Sequence, residues 1–170
     1  MNFNRKFPLT RLRRTRSKPG LRSMVAEVNL SVDDLIQPIF IKENLTGTEN
    51  IDSMPEIKRF GLDVLNKEID ELVSLGIKSV AVFPVIEESK KDAAGLEAIN
   101  ENNFLTKAIK QIKEAFPELI VIVDVALDPY TTHGHDGVLD SNNDVDNDAS
   151  LLTLKEQALV LAKAGADVIA

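Results

Sequence analysis

Between Asp128 and Asp136 the chain places Asp128, Tyr130, Thr131, Thr132, His133, His135 and Asp136, and these two histidines are the only ones it has. Imidazole changes charge near neutral pH, and beside carboxylates it can move protons or hold a cation. Immediately before this cluster, Asp124 stands inside the apolar run LIVIVDVAL, Leu119 to Leu127. A Val- and Ile-rich run of that length reads as a buried strand. An ionised carboxylate there is costly unless it is paired, hydrogen-bonded or metal-bound. Asp124 is thus the first candidate for chemistry. It would orient a substrate amine or hydroxyl, or serve as acid or base if burial raises its pKa. The plainer alternative is a carboxylate satisfied by backbone N–H groups or an arginine. At strand spacing Asp124, Ala126 and Asp128 lie two apart and so share one face.

Asp128, His133, His135 and Asp136 have the density of a ligand set, oxygen-rich with two imidazoles, suited to a hard or borderline cation. The competing reading is a polar loop flexed by Gly134 and Gly137. Asp144, Asp146 and Asp148 imitate the start of a calcium loop, but Ala149 stands where glycine is required and Lys155 where the bidentate glutamate should be. A solvated acidic loop is the better reading of that triplet. Lys42, just past the first expected strand, is placed where an imine-forming amine could work. An exposed loop lysine is the commoner case.

The elements that must position these groups follow from apolar spacing and from breakers. Leu21 to Glu27 reads as a short helix and Leu35 to Ile41 as a strand, with Pro38 costing a ladder hydrogen bond. Residues 42–61 read as loop with one short strand near Ile57. From Asp63 the spacing of Val64, Leu65, Ile69, Leu72 and Val73 gives a helix closed by Gly76. Ile77 to Ile86 is the second strand, and residues 87–100 are loop. Phe104, Leu105, Ala108, Ile109, Ile112 and Phe116 mark the next helix, stopped by Pro117. Leu119 to Leu127 is the third strand, residues 129–148 a long loop, Leu151 to Ala164 a helix closed by Gly165, and Ala166 to Ala170 a further strand.

This alternation predicts a parallel sheet of the α/β class, either doubly wound or a (β/α)8 TIM barrel. No glycine-rich phosphate fingerprint follows the first strand, which weakens the dinucleotide-binding option. Long loops after strands and short turns before them suit a barrel with its site at the strand C-termini. The expected organisation is a basic arm over residues 1–34 and a partial barrel over 35–170. A complete barrel needs about 250 residues, and the sequence stops in an apolar strand, GADVIA. We therefore expect the N-terminal half of a longer enzyme, about four strands of the barrel.

Residues 1–22 hold eight Lys/Arg and no acid, while the remaining 148 hold twelve and twenty-seven, so a basic arm precedes an acidic body. Such an arm can bind nucleic acid, but it lacks aromatic interleaving beyond Phe3 and Phe7 and no nucleic-acid motif follows it. Docking on the acidic body of a neighbouring subunit is the favoured reading. An arginine-rich, acid-free start also fits an organelle transit peptide, although the early run into Leu30–Ile41 favours a structured arm. No apolar stretch approaches the 18 or so residues of a membrane span. With no cysteine among 170 residues, disulfides and thiolate metal sites are excluded. A reducing, cytoplasmic setting fits.

DVALDPYTTHGHDG, Asp124 to Gly137, resembles the metal-loop signature of the porphobilinogen synthase (5-aminolevulinate dehydratase) family. RLRRTRSKPGLRSMVAEVNLSVDDLIQPIFI resembles that family's arginine-rich arm and first barrel strand. IDSMPEIKRF, AVFPVI and NDASLLTLKEQALVLAKAGADVIA fall in the family's order. The resemblance covers essentially the whole chain. It implies a (β/α)8 barrel whose arm wraps a partner subunit, with Arg11, Arg13, Arg14 and Arg16 serving assembly, commonly into a homo-octamer. It implies condensation of two 5-aminolevulinates to porphobilinogen, with loss of two waters, in tetrapyrrole and heme biosynthesis, with Asp124 as a supporting catalytic group.

Two departures qualify the resemblance. Cysteines of zinc-dependent members stand at the positions held here by Ala126, Asp128 and Asp136, so a thiolate-bound catalytic Zn2+ is not expected. The aspartate-type loop implies activation by Mg2+. The family's two active-site lysines lie on later barrel strands, and Lys42 matches neither. The 170 residues alone are expected to be inactive, and a non-catalytic fragment that binds full-length subunits through the arm is the rival reading.

Overall fold

The structure is a computed structural model that describes residues 6–8, 10, 11 and 13–170. The remaining positions of the arm, 1–5, 9 and 12, lie outside the described residues. The chain divides into two compact units, Met1–Ser31 and Val32–Ala170. In the first, a single 3-10 turn at Arg14–Arg16 precedes helix α1 (Pro19–Met24), which starts on proline at its first position. Proline suits that place, because its missing N–H would have no helical partner there.

The second unit carries the sheet. Its strands are β1 (Gln37–Lys42), β2 (Thr48–Asn50), β3 (Lys58–Phe60), β4 (Ser79–Val85), β5 (Ile120–Val123) and β6 (Val168–Ile169). They line up in the order β2-β3-β1-β4-β5-β6. β1, β4, β5 and β6 are successive parallel neighbours. β3 pairs parallel with the upper part of β1, and β2 closes an antiparallel hairpin on β3. β2 escaped the sequence reading because Thr48, Glu49 and Asn50 carry no apolar alternation.

Three helices connect these strands: α2 (Leu62–Ser74), α3 (Phe104–Ala115) and α4 (Asn147–Ala164). All pack on one face of the sheet. Ile39, Ile41, Val80, Val82, Val121 and Val123 point into a core shared with Leu65, Ile69, Leu105, Ala108, Ile109, Ile112 and Leu161. Parallel strands added in sequence order, with every helix on one side, are half of a (β/α)8 barrel. A doubly wound sheet would carry helices on both faces. The opposite face, with Pro38, Phe40, Ala81, Phe83, Ile120 and Ile122, has no covering layer within this unit, and none of these residues is fully buried. Phe40 and Phe83 stack there, ring centroids 5.6 Å apart.

Local chemistry explains the helix limits. α2 ends at Gly76, whose φ of +88° is left-handed. α3 begins where Asn103, 1% exposed, accepts a hydrogen bond from the Thr106 amide at 2.8 Å. α4 starts four residues earlier than its apolar pattern indicates, because the Asp146 carboxylate accepts from the Ala149 amide at 3.0 Å. That cap also gives the Asp144–Asp146–Asp148 triplet a helix-starting role. Among the described residues, no helix is long and apolar enough to cross a membrane.

Candidate active site at the strand C-termini

Asp124 is not buried. It lies one residue beyond the end of β5 and is exposed. Alternation from the core residues Val121 and Val123 puts it on the uncovered face of the sheet. The expected desolvation cost therefore does not arise, because nothing in this unit covers that face. Its backbone is nevertheless held, since the Ala170 amide donates to Val123 O at 2.8 Å and the Val125 amide to Ala170 O at 3.0 Å. The ladder with the last strand thus runs past Asp124 and holds its backbone at the C-terminal end of β5.

The predicted strand is too long at its end. After Val125 the chain turns, with the Tyr130 and Thr131 amides both donating to Leu127 O, at 2.9 and 3.0 Å. Asp124, Ala126 and Asp128 accordingly do not share a strand face: Ala126 is buried, and the two aspartates are exposed. The turn, rather than alternation, brings the carboxylates near one another. Asp128 is held above the ordinary carboxylate range, first by partial loss of hydration, then by repulsion from Asp136 and, more weakly, Asp124. Its backbone hydrogen bond opposes the shift.

Asp128, His133, His135 and Asp136 do not converge as a ligand cage. Among the described residues, no three His, Cys, Asp or Glu side chains are grouped to hold an ion. Two of the four, His133 and Asp136, are held by backbone groups. The His133 Nδ1 accepts from the His135 amide at 3.1 Å, which leaves Nε2 to donate to Ala93 O at 3.0 Å. The Leu127 amide donates to Asp136 Oδ1. The two imidazoles stand 5.5 Å apart, tilted by 38°. The donor set of this loop does not fit a resident metal.

Residues that the sequence reading did not single out buttress the loop. The Asp92 amide donates to Tyr130 O at 3.3 Å, and the Thr132 amide donates to Asp92 O at 3.1 Å. The Asp92 carboxylate accepts from the Ala94 and Leu96 amides at 2.7 and 3.2 Å, which folds the segment after β4 into a turn. From α4, Gln157 is 1% exposed and donates to Ala126 O at 3.0 Å. Its Oε1 and the Tyr130 hydroxyl are buried without a hydrogen-bond partner among the described residues. Burial pushes the Tyr130 phenol up, helped by the charges of Glu97 and Asp128. The one sequence signal for Gln157 was an amide among apolar helix positions. For Asp92 there was none.

Lys42 closes β1 with an occupied ammonium. It pairs with Glu49 at 2.6 Å, and Arg59 holds the other oxygen of that carboxylate at 2.8 Å. The two cations lower the Glu49 pKa. At the same end, Lys90 pairs with Glu43 and lies 3.9 Å from Glu97. In the arm unit, Arg11, Arg13, Arg14 and Arg16 are exposed, and the Arg11 guanidinium lies 5.9 Å from the centre of the Phe7 ring. Ring and cation at that separation attract weakly.

A half-barrel with a carboxylate and a histidine loop at its strand C-termini invites comparison with known proteins. A profile of the family described as delta-aminolevulinic acid dehydratase matches residues 9–170. The delta-aminolevulinic acid dehydratase of Chlamydia pneumoniae is 44% identical over 160 residues, covering 94% of this chain and 48% of that protein. The Bacillus subtilis protein of the same name is 45% identical over 160 residues, with the same two coverages of 94% and 48%. Among solved structures, delta-aminolevulinic acid dehydratase (porphobilinogen synthase) from Toxoplasma gondii ME49, in complex with the reaction product porphobilinogen, superposes with a TM-score of 0.90. It is 38% identical, and the match covers 94% of this chain and 46% of that one. The chain spans about half the length of the curated relatives it matches. Profile, relatives and fold agree over nearly every residue: the chain belongs to the delta-aminolevulinic acid dehydratase family.

Proposed function

We propose that the chain is the N-terminal half of a porphobilinogen synthase, a hydro-lyase that condenses two molecules of 5-aminolevulinate to porphobilinogen with release of two waters. The observation that carries this reading is the placement of Asp124 and its hydrogen-bonded loop at the C-terminal mouth of a parallel half-barrel, in a chain of this family. Exposed on the uncovered sheet face, Asp124 supports the reaction by orienting a substrate amine or hydroxyl. Asp128 supplies a carboxyl that accepts a proton more readily than an ordinary aspartate.

The Schiff-base chemistry comes from lysines beyond these residues, on the barrel strands that complete the mouth. Lys42 does not stand in for them, since its ammonium is paired with Glu49. The half-barrel by itself is therefore inactive. Mg2+ activates the complete enzyme from a site partly outside this half, which agrees with a loop in which His133 and one oxygen of Asp136 are engaged by backbone groups. Arg11, Arg13, Arg14 and Arg16 serve assembly, commonly of a homo-octamer, through a basic arm drawn to an acidic body. The reaction belongs in the cytosol.

Borohydride trapping tests the division of labour. With 5-aminolevulinate and borohydride, the 170-residue chain remains unlabelled, whereas the chain extended by the family's remaining barrel strands gains one reduced adduct. An adduct on the half-barrel alone would overturn the assignment of the lysine chemistry.

A further inference from the structure

We propose that the loop from Asp124 to Gly137 is held in its working shape by protein hydrogen bonds instead of a bound metal, with Asp136 as the positioning residue that closes it. The proposal rests on the family reading only for what it replaces, since zinc-dependent members place cysteines at 126, 128 and 136.

The closure can be followed bond by bond. The Leu127 amide donates to Asp136 Oδ1 across nine positions of sequence, which ties the two ends of the loop together. Inside that ring the Tyr130 and Thr131 amides donate to Leu127 O, and the Thr131 hydroxyl donates to His135 O at 2.9 Å. His133 fastens the outer side, its Nε2 donating to Ala93 O while its Nδ1 receives the His135 amide. Asp92 bridges the loop with its own N–H and C=O, to Tyr130 and Thr132. Below the loop, the Ser150 hydroxyl of α4 accepts from the Val138 amide at 2.9 Å, and Gln157 holds Ala126 O.

These bonds count against a ligand role for His133 and for one oxygen of Asp136 on chemical grounds. A metal-bound imidazole offers the lone pair of one ring nitrogen. In His133 the Nδ1 lone pair is taken by a backbone N–H, and Nε2 carries the proton given to Ala93 O. One oxygen of Asp136 accepts a charge-assisted bond from an amide. Position 126 is alanine, with no donor at all. Where a metal would gather three side chains from the two ends of the loop, a carboxylate and a backbone amide meet directly. Asp136 accordingly acts through Leu127, fixing the backbone between Asp124 and Asp128 so that both carboxylates keep their places at the mouth.

Amide hydrogen exchange on the purified 170-residue chain tests this without any need for catalysis. Leu127 N–H is expected to be protected, and its rate to change less than about twofold with excess EDTA or with added Zn2+ or Mg2+. In Asp136→Ala it exchanges about tenfold faster, as for loss of one charge-assisted bond. In Asp136→Asn, whose amide oxygen still accepts, it stays within about threefold of the wild type. Exchange at Val80 and Val121 in the sheet reports whether a variant has unfolded altogether. If Asp136→Ala unfolds, the wild-type chelation series and Asp136→Asn decide the matter. Faster exchange at Leu127 on chelation, slower exchange on adding Zn2+ or Mg2+, or protection unchanged in a folded Asp136→Ala would each overturn the proposal. A change in the borohydride result would leave it untouched, so the two readings fail separately.

Discussion

Adding one methyl group at Gly137 should damage the loop far more than adding one at Gly134, three residues away. A Cβ at Gly137 would lie 2.6 Å from Val145 Cγ1 and 2.8 Å from Ser150 Oγ. Val145 is 43% exposed and can swing aside, but Ser150 is 4% exposed and its hydroxyl receives the Val138 amide. Relief therefore requires turning that hydroxyl away, at the loss of about 1–1.5 kcal/mol for the hydrogen bond. Residual overpacking adds about 1–3 kcal/mol, so Gly137→Ala should cost about 2–4 kcal/mol. Gly134 has φ +74°, and a methyl added there would meet nothing within 4 Å, so Gly134→Ala carries only the left-handed backbone cost of about 1 kcal/mol. In urea, with a slope of about 2 kcal/mol per M, the midpoint should fall by about 1–2 M for Gly137→Ala and about 0.5 M for Gly134→Ala. Adding Ser150→Ala should recover part of the Gly137→Ala loss, because the clash and the hydrogen bond share one oxygen. Equal midpoints for the two glycine variants, or strict additivity with Ser150→Ala, would refute the packing of this loop on α4.

Three further outcomes follow from particular side chains. The Asp128 carboxyl has a folded pKa above its unfolded one, so its ionisation opposes folding: the cost is absent below the ordinary carboxylate range, grows as pH rises through the raised value, and persists above it. Asp128→Asn should then raise the melting temperature at pH 7 and make no difference near pH 3, and a gain of equal size at both pH values would contradict this. Gln157→Glu puts a charge in a site where the wild-type Oε1 has no partner, and should cost more than about 3 kcal/mol at neutral pH, with partial relief in acid. Gln157→Leu removes that oxygen together with the bond to Ala126 O, and its thermal midpoint should indicate a loss of only about 1 kcal/mol. Steady-state assay of the complete enzyme should show stimulation by Mg2+, and equal activity after exhaustive chelation, with no response to added Mg2+, would sink the activating role.

Much of the frame was legible because it is written locally. The helical spacing from Val64 to Val73 with Gly76 behind it, and from Phe104 to Ile112 with Pro117 behind it, locates α2 and α3 to within a residue or two. The strand around Asp124 was overextended for a physical reason. Val125, Ala126 and Leu127 are apolar and Leu127 is fully buried, yet the chain leaves the strand there and turns from Leu127 onward, and periodicity cannot distinguish a buried turn from a buried strand. For the candidate loop, sequence proximity suggested a ligand set, whereas the structure shows hydrogen bonds to backbone atoms. His133, His135 and Asp136 do sit beside Asp124 and Asp128 in sequence, but their partners are backbone atoms such as Ala93 O, 40 residues away. The buttress from Gln157 spans 31 residues. No local pattern encodes such bonds, so a hydrogen-bonded loop looks in sequence like a ligand set.

The central claim, that this half-barrel supplies Asp124 to a reaction whose lysines come from the other half, has one direct test. The chain is co-expressed with the C-terminal half of the Bacillus subtilis relative, and porphobilinogen formed from 5-aminolevulinate is measured for each half alone, for the pair, and for the pair carrying Asp124→Ala. The account predicts product from the pair only, with a loss of at least about a hundredfold on Asp124→Ala, the scale expected when a positioned acid–base group is removed. Product from the 170-residue chain alone, or full activity in the Asp124→Ala pair, would contradict it.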